Sequence, residues 1–270
     1  MSNLFDLKDR VIIVTGGLGQ LGRQYIRTLL QEKARVAVFD IRGEEEAAAS
    51  LSPELVNETL LYATVDITQK DSIGGGLEKV ITKWGVPHGL INNAAIDSPP
   101  DAPAEENGPF ETYPEASLDS VMSVNVKGVV LACQLIGGVM AQQGRGSIVN
   151  ICSTYGLVSP DQGVYEYRRQ RGEPFYKPVS YSVSKSALLN LTRYLATYWG
   201  KRNVRVNTLT LGGVFNNQEE EFLSAYSTRT PLGRMAREDE YNGAIVFLLS
   251  DASSYMTGAN LVIDGGWTAW

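Results

Sequence analysis

Cysteine and histidine are scarce in this chain of 270 residues. Cys133 and Cys152 are its two cysteines, and His88 is its one histidine. This supply is too small for a cysteine/histidine zinc site or for a framework of disulfides, so we expect no bound metal. Any catalytic step that requires histidine is confined to His88.

Positive charge and long apolar runs are also limited. Lys and Arg number 24 against 30 Asp and Glu, which gives a net charge of −6 and argues against general nucleic-acid binding. The most apolar stretch, Val129 to Ala141, is too short to span a bilayer. Met1 to Arg10 carries charges where a secretory signal needs an apolar run. We therefore expect a soluble cytoplasmic protein whose partners include neither nucleic acid nor membrane.

Strand and helix patterns alternate along the chain. Short apolar runs predict seven buried strands, at Val11–Val14, Arg35–Asp40, Leu60–Val65, Gly89–Ile91, Ser147–Ile151, Val204–Asn207 and Leu261–Ile263. Helical spacing between them predicts helices at 20–33, 71–84, 117–142, 180–200 and 237–249, the second of which contains three consecutive glycines. Repeated βα units predict the α/β class, a doubly wound seven-stranded parallel sheet with helices on both faces.

A glycine-rich turn follows the first strand. Gly17-x-Gly19-x-x-Gly22 opens the first helix, which is the context that a dinucleotide site requires. The missing Cβ atoms let the backbone approach a pyrophosphate, and the helix N-terminus offers free N–H groups to it. Asp40 ends the second strand, where a carboxylate binds ribose hydroxyls and repels a 2′-phosphate, so NAD is favoured over NADP. Arg42 is the opposing signal, since an arginine can hold that phosphate.

Tyr181 and Lys185 are four residues apart at the start of a predicted helix, so they share one helix face. An ammonium close to a phenol favours the phenolate and lowers the pKa of the tyrosine from about 10 toward neutrality. We therefore predict that Tyr181 donates and accepts protons near pH 7.

Together with other segments, this pair resembles the short-chain dehydrogenase/reductase family. The matching segments are Thr15 to Gly22, Asp66, Asn92 to Ala95, Asn125, Ser153, and Asn260 to Gly266. The resemblance implies a Rossmann fold, a homotetramer, and hydride transfer between a nicotinamide and a secondary alcohol or ketone. It implies that Tyr181 exchanges the proton, Ser153 holds the substrate oxygen, Lys185 lowers the pKa of Tyr181, and Asn125 anchors a water, so the expected catalytic residues are Asn125, Ser153, Tyr181 and Lys185.

The resemblance also implies a cofactor site. The expected cofactor-binding residues are Gly16, Gly19, Gln20, Leu21, Gly22, Asp40, Arg42, Asp66, Ile67, Asn93, Ala94, Ala95, Tyr181, Lys185, Gly212 and Val214, and Asn92 is expected to line the same cleft. The chain departs from the family where Gln20 replaces a glycine and where Leu211 replaces a proline before Gly212. We expect one NAD(P)-binding domain over residues 1–270, with loops 97–114, 159–178 and 212–230 on the substrate side.

The spacing between Ser153 and Tyr181 is more than double what the family normally uses, because the segment Ser159–Pro178 lies between them. This insertion must border the substrate, since both its ends are anchored at catalytic residues. Arginines bind carboxylates and phosphates, and aromatic rings stack on sugars. The expected substrate-binding residues are Ser153, Tyr155, Arg168, Arg169, Arg171 and Tyr181. A subunit-packing loop with solvated arginines is the alternative.

These features predict an NAD-dependent oxidoreductase that acts on a polar, carbohydrate-like small molecule. The enlarged loop resembles family members found in bacterial surface-sugar and flagellin-glycan biosynthesis. The alternatives are a 3-oxoacyl thioester reductase that uses NADPH, a non-catalytic nucleotide-binding regulator, and a nucleotide-sugar epimerase or dehydratase with tightly held NAD.

Overall fold

A parallel sheet of seven strands organises the protein, in a computed structural model that describes residues 3–51, 58–97 and 105–270. The strands are β1 (Val11–Thr15), β2 (Arg35–Asp40), β3 (Leu60–Thr64), β4 (Gly89–Asn92), β5 (Gly146–Ser153), β6 (Val204–Leu211) and β7 (Asn260–Ile263). They lie in the order β3-β2-β1-β4-β5-β6-β7, and each neighbouring pair is parallel. The predicted α/β fold with a doubly wound seven-stranded sheet is confirmed.

The helices within the described ranges pack on both sides of this sheet. They are α1 (Gln20–Gln31), α2 (Glu44–Ser50), α3 (Lys70–Trp84), α4 (Glu115–Gln143), α5 (Glu166–Gln170), α6 (Val179–Trp199), α7 (Glu220–Arg229) and α8 (Asn242–Leu249). Helix α8 begins five residues later than predicted. Two predicted loops, 159–178 and 212–230, contain helices α5 and α7, and α2 was not predicted. Residues 98–104 of the predicted loop 97–114 lie outside the described residues.

Alternating side chains along β1 divide the interior into two apolar cores. Ile12 and Val14 face one core, where α1, α2 and α8 cover the sheet. Val11 and Ile13 face the other core, where α3, α4 and α6 cover it. A strand that is buried on both faces has no solvent-facing position, which explains the uninterrupted apolar runs of the sequence.

Helix α4 is the longest helix of the described chain. An 18-residue window within Glu115–Gln143 has a mean hydropathy of 1.6, so this helix is long and apolar enough, by length and composition, to cross a membrane. Half of that window is buried inside the fold, with Val129, Ile136 and Met140 in the second core. Two turns of α4 are π-helical, at Ser123–Gly128 and Cys133–Gly137, and such turns concentrate at functional sites.

A chain of buried polar side chains crosses the centre of the sheet. Asn92 of β4 donates to Asn150 of β5 at 2.8 Å, and Asn150 donates to Thr192 of α6 at 2.8 Å. Thr208 of β6 donates to the same Thr192 hydroxyl at 2.8 Å. All four residues are almost completely buried, so these hydrogen bonds replace ones that water would otherwise make.

Candidate active site

A cleft of about 1400 Å³ opens at the carboxyl edge of the sheet. It lies where the strand order reverses, between β1 with its neighbour β2 on one side and β4 on the other. Ligands of open α/β sheets bind at this point, because the loops after the strands diverge there. The cleft walls come from the turn after β1, the ends of β2, β4, β5 and β6, the insertion, and α7.

The glycine-rich turn fits a pyrophosphate by its backbone shape. Gly16 has φ +61°, and a Cβ at this position would lie 2.6 Å from Cα of Ala94. A Cβ at Gly22 would lie 2.4 Å from the carbonyl oxygen of Gly16, so glycine at position 22 lets α1 approach the turn, and glycine at position 16 lets the chain after β4 approach it. Helix α1 begins at Gln20; Gly19 before it supplies no side-chain cap, and the first turn has no acidic residue. Its first N–H groups are therefore suited to bind an anion.

Gln20, which replaces a family glycine, makes a contact of its own. Its side-chain amide donates to the carbonyl oxygen of Phe215, in the segment after β6, at 2.9 Å. This hydrogen bond, which a glycine at position 20 could not make, joins the glycine-rich turn to the segment after β6.

Asp40 lines the cleft at the carboxyl end of β2 and is 5% exposed. One carboxylate oxygen accepts the N–H of Leu18 at 2.9 Å, which ties the end of β2 to the glycine turn. The other oxygen accepts the backbone N–H and the Nε–H of Arg42, each at 3.2 Å. Arg42 therefore neutralises Asp40 in part and lies beside it on the same wall.

Ser153, Tyr181 and Lys185 meet at the other end of the cleft. Ser153 ends β5, while Tyr181 and Lys185 occupy the first turns of α6. The hydroxyl of Ser153 lies near enough to that of Tyr181 to influence it, and it also accepts the N–H of Tyr155 at 3.2 Å. The Lys185 ammonium donates to the carbonyl oxygen of Ile151 at 3.0 Å and lies 5.8 Å from the centre of the Tyr181 ring.

The electrostatics of this group differ from the expectation based on spacing. Burial raises the pKa of Tyr181 above its ordinary value, and the nearby carboxylate of Asp97 raises it further. The nearby Ser153 hydroxyl acts in the opposite direction. Burial lowers the pKa of Lys185, and Asp97 partly opposes that change. The predicted fall of the Tyr181 pKa toward neutrality is therefore not seen in this arrangement, because burial is the largest influence on this pKa and raises it.

Asn125 does not line the cleft, and its side chain instead bonds the backbone of a segment that does. It lies in the first π-helical turn of α4 and is 1% exposed. Its side chain accepts the N–H of Ile96 at 2.8 Å and donates to the carbonyl of Ile96 at 2.9 Å. It also donates to the hydroxyl of Ser184 at 3.0 Å. Asn125 thus fixes the chain after β4 against α6.

Most of the residues expected in the site do line the cleft. Those on its surface are Gly16, Gly19, Gln20, Leu21, Asp40, Arg42, Asp66, Ile67, Asn93, Ala94, Ala95, Ser153, Tyr155, Arg168, Tyr181, Lys185, Gly212 and Val214. Gly22, Asn125, Arg169 and Arg171 do not line it. The expectation that Asn92 lines it is wrong, because Asn92 points into the polar chain within the sheet.

The three arginines of the insertion have different surroundings. Arg168 faces the cleft, 2.9 Å from a carboxylate oxygen of Glu219. Arg169 holds the insertion together, since it donates to the carbonyls of Phe175 and Gln162 and pairs with Glu166. The exposed Arg171 pairs with acidic residues near the start of α7.

Aromatic contacts attach the insertion to its own chain. Tyr165 lies 4.8 Å from Phe175 and 5.6 Å from Phe222 of α7, between ring centres. Tyr226 of α7 stacks on Trp267 at 4.4 Å. The insertion and α7 therefore form one aromatic wall of the cleft, and burial of its rings gives this wall its own small core.

Three charged residues that line the cleft, Asp97, Lys177 and Glu219, were not among the expected site residues. Asp97 follows Ile96 directly beyond β4, and Lys177 ends the insertion four residues before Tyr181. Asp97 could have been found, because a carboxylate just beyond the carboxyl end of a parallel strand lies where ligands bind. Lys177 lies in the insertion that was expected to border the substrate, but the three arginines of that segment were chosen as its substrate-binding cations instead.

The chain matches known proteins over nearly all of its length. Residues 19–268 match a family model described as enoyl-(acyl carrier protein) reductase. Post-translational flagellin modification protein A of Campylobacter coli is 30% identical over 267 residues, 97% of this chain and 99% of that protein. D-arabinitol 2-dehydrogenase (ribulose-forming) of Scheffersomyces stipitis is 32% identical, over 98% of this chain and 96% of that protein.

Solved structures agree with this match. A short-chain dehydrogenase of Leptospira borgpetersenii with bound NAD+ has a TM-score of 0.85 and 30% identity, over 99% of this chain and 96% of that chain. A gluconate 5-dehydrogenase of Burkholderia cenocepacia, in complex with NADP and tartrate, has a TM-score of 0.85 and 25% identity, over 99% and 98%. The relatives include dehydrogenases and a flagellin-modification protein, and these are the similarities that the sequence predicted.

Proposed function

Since the chain belongs to the short-chain dehydrogenase/reductase family and is an oxidoreductase with a nicotinamide cofactor, we propose that it uses NAD to oxidise a secondary alcohol, or reduce the ketone, of a polar, carbohydrate-like substrate. The observation that carries this proposal is the meeting of Ser153, Tyr181 and Lys185 in one cleft with Asp40 at its far end.

The chemistry of this group follows from its hydrogen bonds. The Ser153 and Tyr181 hydroxyls, which lie near one another in the cleft, both bind the substrate oxygen. Tyr181 accepts the proton of the alcohol during oxidation and returns it to the carbonyl oxygen during reduction. The positive charge of Lys185 stabilises the phenolate, and its hydrogen bond to Ile151 holds it in position. A bound nicotinamide cofactor would accept the hydride during oxidation and supply it during reduction.

Asp40 supports NAD as the cofactor. Its buried carboxylate binds the ribose hydroxyls and repels a 2′-phosphate. Arg42 is paired with this carboxylate, so the charge of the arginine is partly neutralised and would attract a 2′-phosphate less strongly.

The substrate end of the cleft supports a polar ligand with apolar faces. Its walls combine charged side chains with the rings of Tyr155, Tyr165, Phe222 and Tyr226. Sugars and polyols present C–H faces to aromatic rings and hydroxyls to charged groups. The name of the arabinitol-oxidising relative supports the same class.

The test is a panel of polyols, sugars and sugar acids, assayed with NAD+ and with NADP+ by absorbance of the reduced nicotinamide. We expect turnover of at least one panel member with NAD+, and its loss in Tyr181→Phe. A preference for NADP+ with every substrate would contradict the cofactor assignment. Turnover of no panel member by a preparation that binds NAD+ would contradict the substrate class.

A 3-oxoacyl thioester reductase is the second candidate, favoured by the printed description of the matching family model. That reaction needs NADPH and an apolar substrate channel, whereas Asp40 and the charged walls oppose both. Reduction of an acetoacetyl thioester with NADPH, faster than any sugar reaction, would establish it. A non-catalytic regulator and an epimerase or dehydratase are addressed by the same assays, since the first turns over nothing and the others retain NAD through purification.

We propose a homotetramer as the working assembly. Helix α6 exposes Val183, Tyr194 and Tyr198, and the two tyrosine rings stack 6.0 Å apart. Exposed aromatic rings on a long helix suit a subunit interface. Light scattering is expected to give four chains per particle, and a monomer at micromolar concentration would contradict this. The cytoplasmic location stays a prediction from the sequence.

A further inference from the structure

Lys177 and Asp97 form an ion pair directly beside the catalytic tyrosine. The Lys177 ammonium lies 4.7 Å from the centre of the Tyr181 ring and 2.6 Å from Oδ1 of Asp97. Both residues line the cleft, and the lysine side chain is only 9% exposed. A charged pair in this position meets whatever part of a substrate lies next to the atoms that react at Tyr181.

The insertion holds Lys177 in place from the other side. The backbone N–H of Lys177 donates to the side-chain carbonyl of Gln162 at 2.8 Å, and the Gln162 amide donates to the Lys177 carbonyl at 3.2 Å. These two bonds close the insertion near its base. The lysine is thus fixed before any substrate arrives, which is the condition for a recognition group rather than for a mobile surface side chain.

A second ion pair lines the same part of the cleft. Arg168 is 14% exposed on its side chain and lies 2.9 Å from Glu219. Among the described lining residues near Tyr181, the cations are Lys177, Arg168 and Lys185, and the carboxylates are Asp97 and Glu219. The Lys185 ammonium donates to the carbonyl oxygen of Ile151, and its proposed role is to stabilise the phenolate of Tyr181. Each of the other two cations therefore has a carboxylate partner within the cleft.

This pairing discriminates between neutral and anionic substrates. A substrate carboxylate that approached Lys177 would also approach Asp97, whose side chain is 42% exposed in the open cleft, and like charges a few ångströms apart repel one another. A hydroxyl group meets no such barrier, because it donates to the carboxylate and accepts from the ammonium while the pair stays intact. The arrangement therefore suits several neighbouring hydroxyls on a neutral molecule.

We propose that Asp97 and Lys177 form the substrate-orienting subsite, and that it binds the hydroxyls flanking the reacting carbon of a neutral polyol or sugar in preference to a sugar acid. This proposal rests on the proposed function and makes its substrate class more specific. Asp97 and Lys177 are specificity-determining residues, whereas the proton transfer belongs to Tyr181.

The first experiment compares polyols with aldonic acids of the same chain length. We expect kcat/KM of the wild-type protein to be at least about tenfold higher for the polyols. In Asp97→Asn, which keeps the shape of the side chain, kcat/KM for polyols is expected to fall about tenfold to a hundredfold, mainly through KM, because the substrate hydroxyl then donates to a neutral amide oxygen instead of to a carboxylate. The same variant should discriminate less against the acids, since the repelling carboxylate is gone.

Asp9→Asn is the matched control. Asp9 pairs with Arg35 at 3.0 Å, before the amino ends of β1 and β2 and thus at the edge of the sheet opposite to the cleft. The Asp9→Asn substitution removes a carboxylate from an ion pair, as Asp97→Asn does. We expect it to leave kcat/KM unchanged for polyols and for aldonic acids. Lys177→Gln provides a second variant at the subsite, and we expect it to raise KM for polyols while the Kd for NAD+ stays within about twofold of wild type.

Binding separates this proposal from the proposed function. Quenching of tryptophan fluorescence by polyols and aldonates in the presence of NAD+ measures affinity whether or not turnover occurs, since Trp267 belongs to the aromatic wall. Polyol binding that is weakened by Asp97→Asn, without any turnover in the wild type, would support the subsite and refute the oxidoreductase substrate assignment. Better binding or turnover of aldonates than of polyols by the wild type, or an unchanged ratio in Asp97→Asn, would overturn the subsite.

Discussion

Asp97 also controls how readily Tyr181 loses its proton, and its replacement by Asn tests this directly. The contacts of 2.6 Å and 4.7 Å made by the Lys177 ammonium place the carboxylate within about 7 Å of the Tyr181 ring. At an effective dielectric constant of about 20, a full charge at that distance contributes roughly 2 kcal/mol. The charge of Lys177 is present in both proteins and cancels from the comparison, but the Asp97 side chain is 42% exposed and solvent screens its charge, so we expect the pKa of Tyr181 to fall by about one unit in Asp97→Asn.

The sign of the effect follows from the direction of the shift. Asp97 raises the pKa of Tyr181, so its carboxylate delays formation of the phenolate as pH rises. Alcohol oxidation needs a phenolate to accept the proton, and its rate therefore increases through the pKa of Tyr181. Removal of the negative charge moves this rising limb to lower pH.

The assay is the pH dependence of kcat for oxidation at saturating substrate and NAD+, which keeps the change of KM out of the measurement. Wild type, Asp97→Asn and the control Asp9→Asn are compared in the same buffers. The rising limb of Asp97→Asn is expected about one unit below the other two. A limb that stays in place, or moves to higher pH, would refute the argument that Asp97 acts on Tyr181 through its charge.

Three further predictions follow from the site and the fold. Tyr181→Phe should lower kcat by about a hundredfold to ten-thousandfold with the Kd for NAD+ retained, since the phenol proton alone is removed; near-normal turnover would exclude Tyr181 from the chemistry. Asp40→Ala should shift the ratio of kcat/KM for NAD+ over NADP+ toward NADP+, and a wild type that already prefers NADP+ would contradict this. Gly75→Ala should raise Tm, because its Cβ meets open space on a helix, whereas Gly76→Ala should lower Tm, because its Cβ would lie 2.7 Å from Val65 and 2.9 Å from Phe39; equal Tm changes would be inconsistent with this packing.

The sequence was sufficient to predict the parts of the fold that depend on local pattern. All seven strands were found because each is an apolar run buried on both faces, and the long helices were found because their apolar spacing is regular. Helix α7 was missed because its segment reads as a polar loop. Its buried residue, Tyr226, is covered by the ring of Trp267, which lies 41 positions away along the chain.

The site divides in the same way. Tyr181, Lys185 and the glycine turn belong to short patterns that predict their own surroundings. Lys177 is held at the cleft by hydrogen bonds to Gln162, which lies 15 residues earlier, and to Asp97, which lies 80 residues earlier. The partners of Arg169 are likewise set by how the insertion folds, so its residue type alone could not separate a structural arginine from one that binds substrate. The single-domain organisation stays a prediction.

The buried polar chain through the sheet has a consequence for catalysis. Thr192 lies seven residues after Lys185, two turns along the same face of α6. Its hydroxyl is bonded to both Asn150 and Thr208, so α6 cannot rotate about its axis or slide along the sheet without leaving buried polar atoms unpaired. A shift of one residue would turn the helix by about 100° and carry the Lys185 ammonium away from the carbonyl of Ile151. The network therefore fixes the position of α6, the helix that carries Tyr181 and Lys185, against β5 and β6. It does so from within the core, away from any substrate.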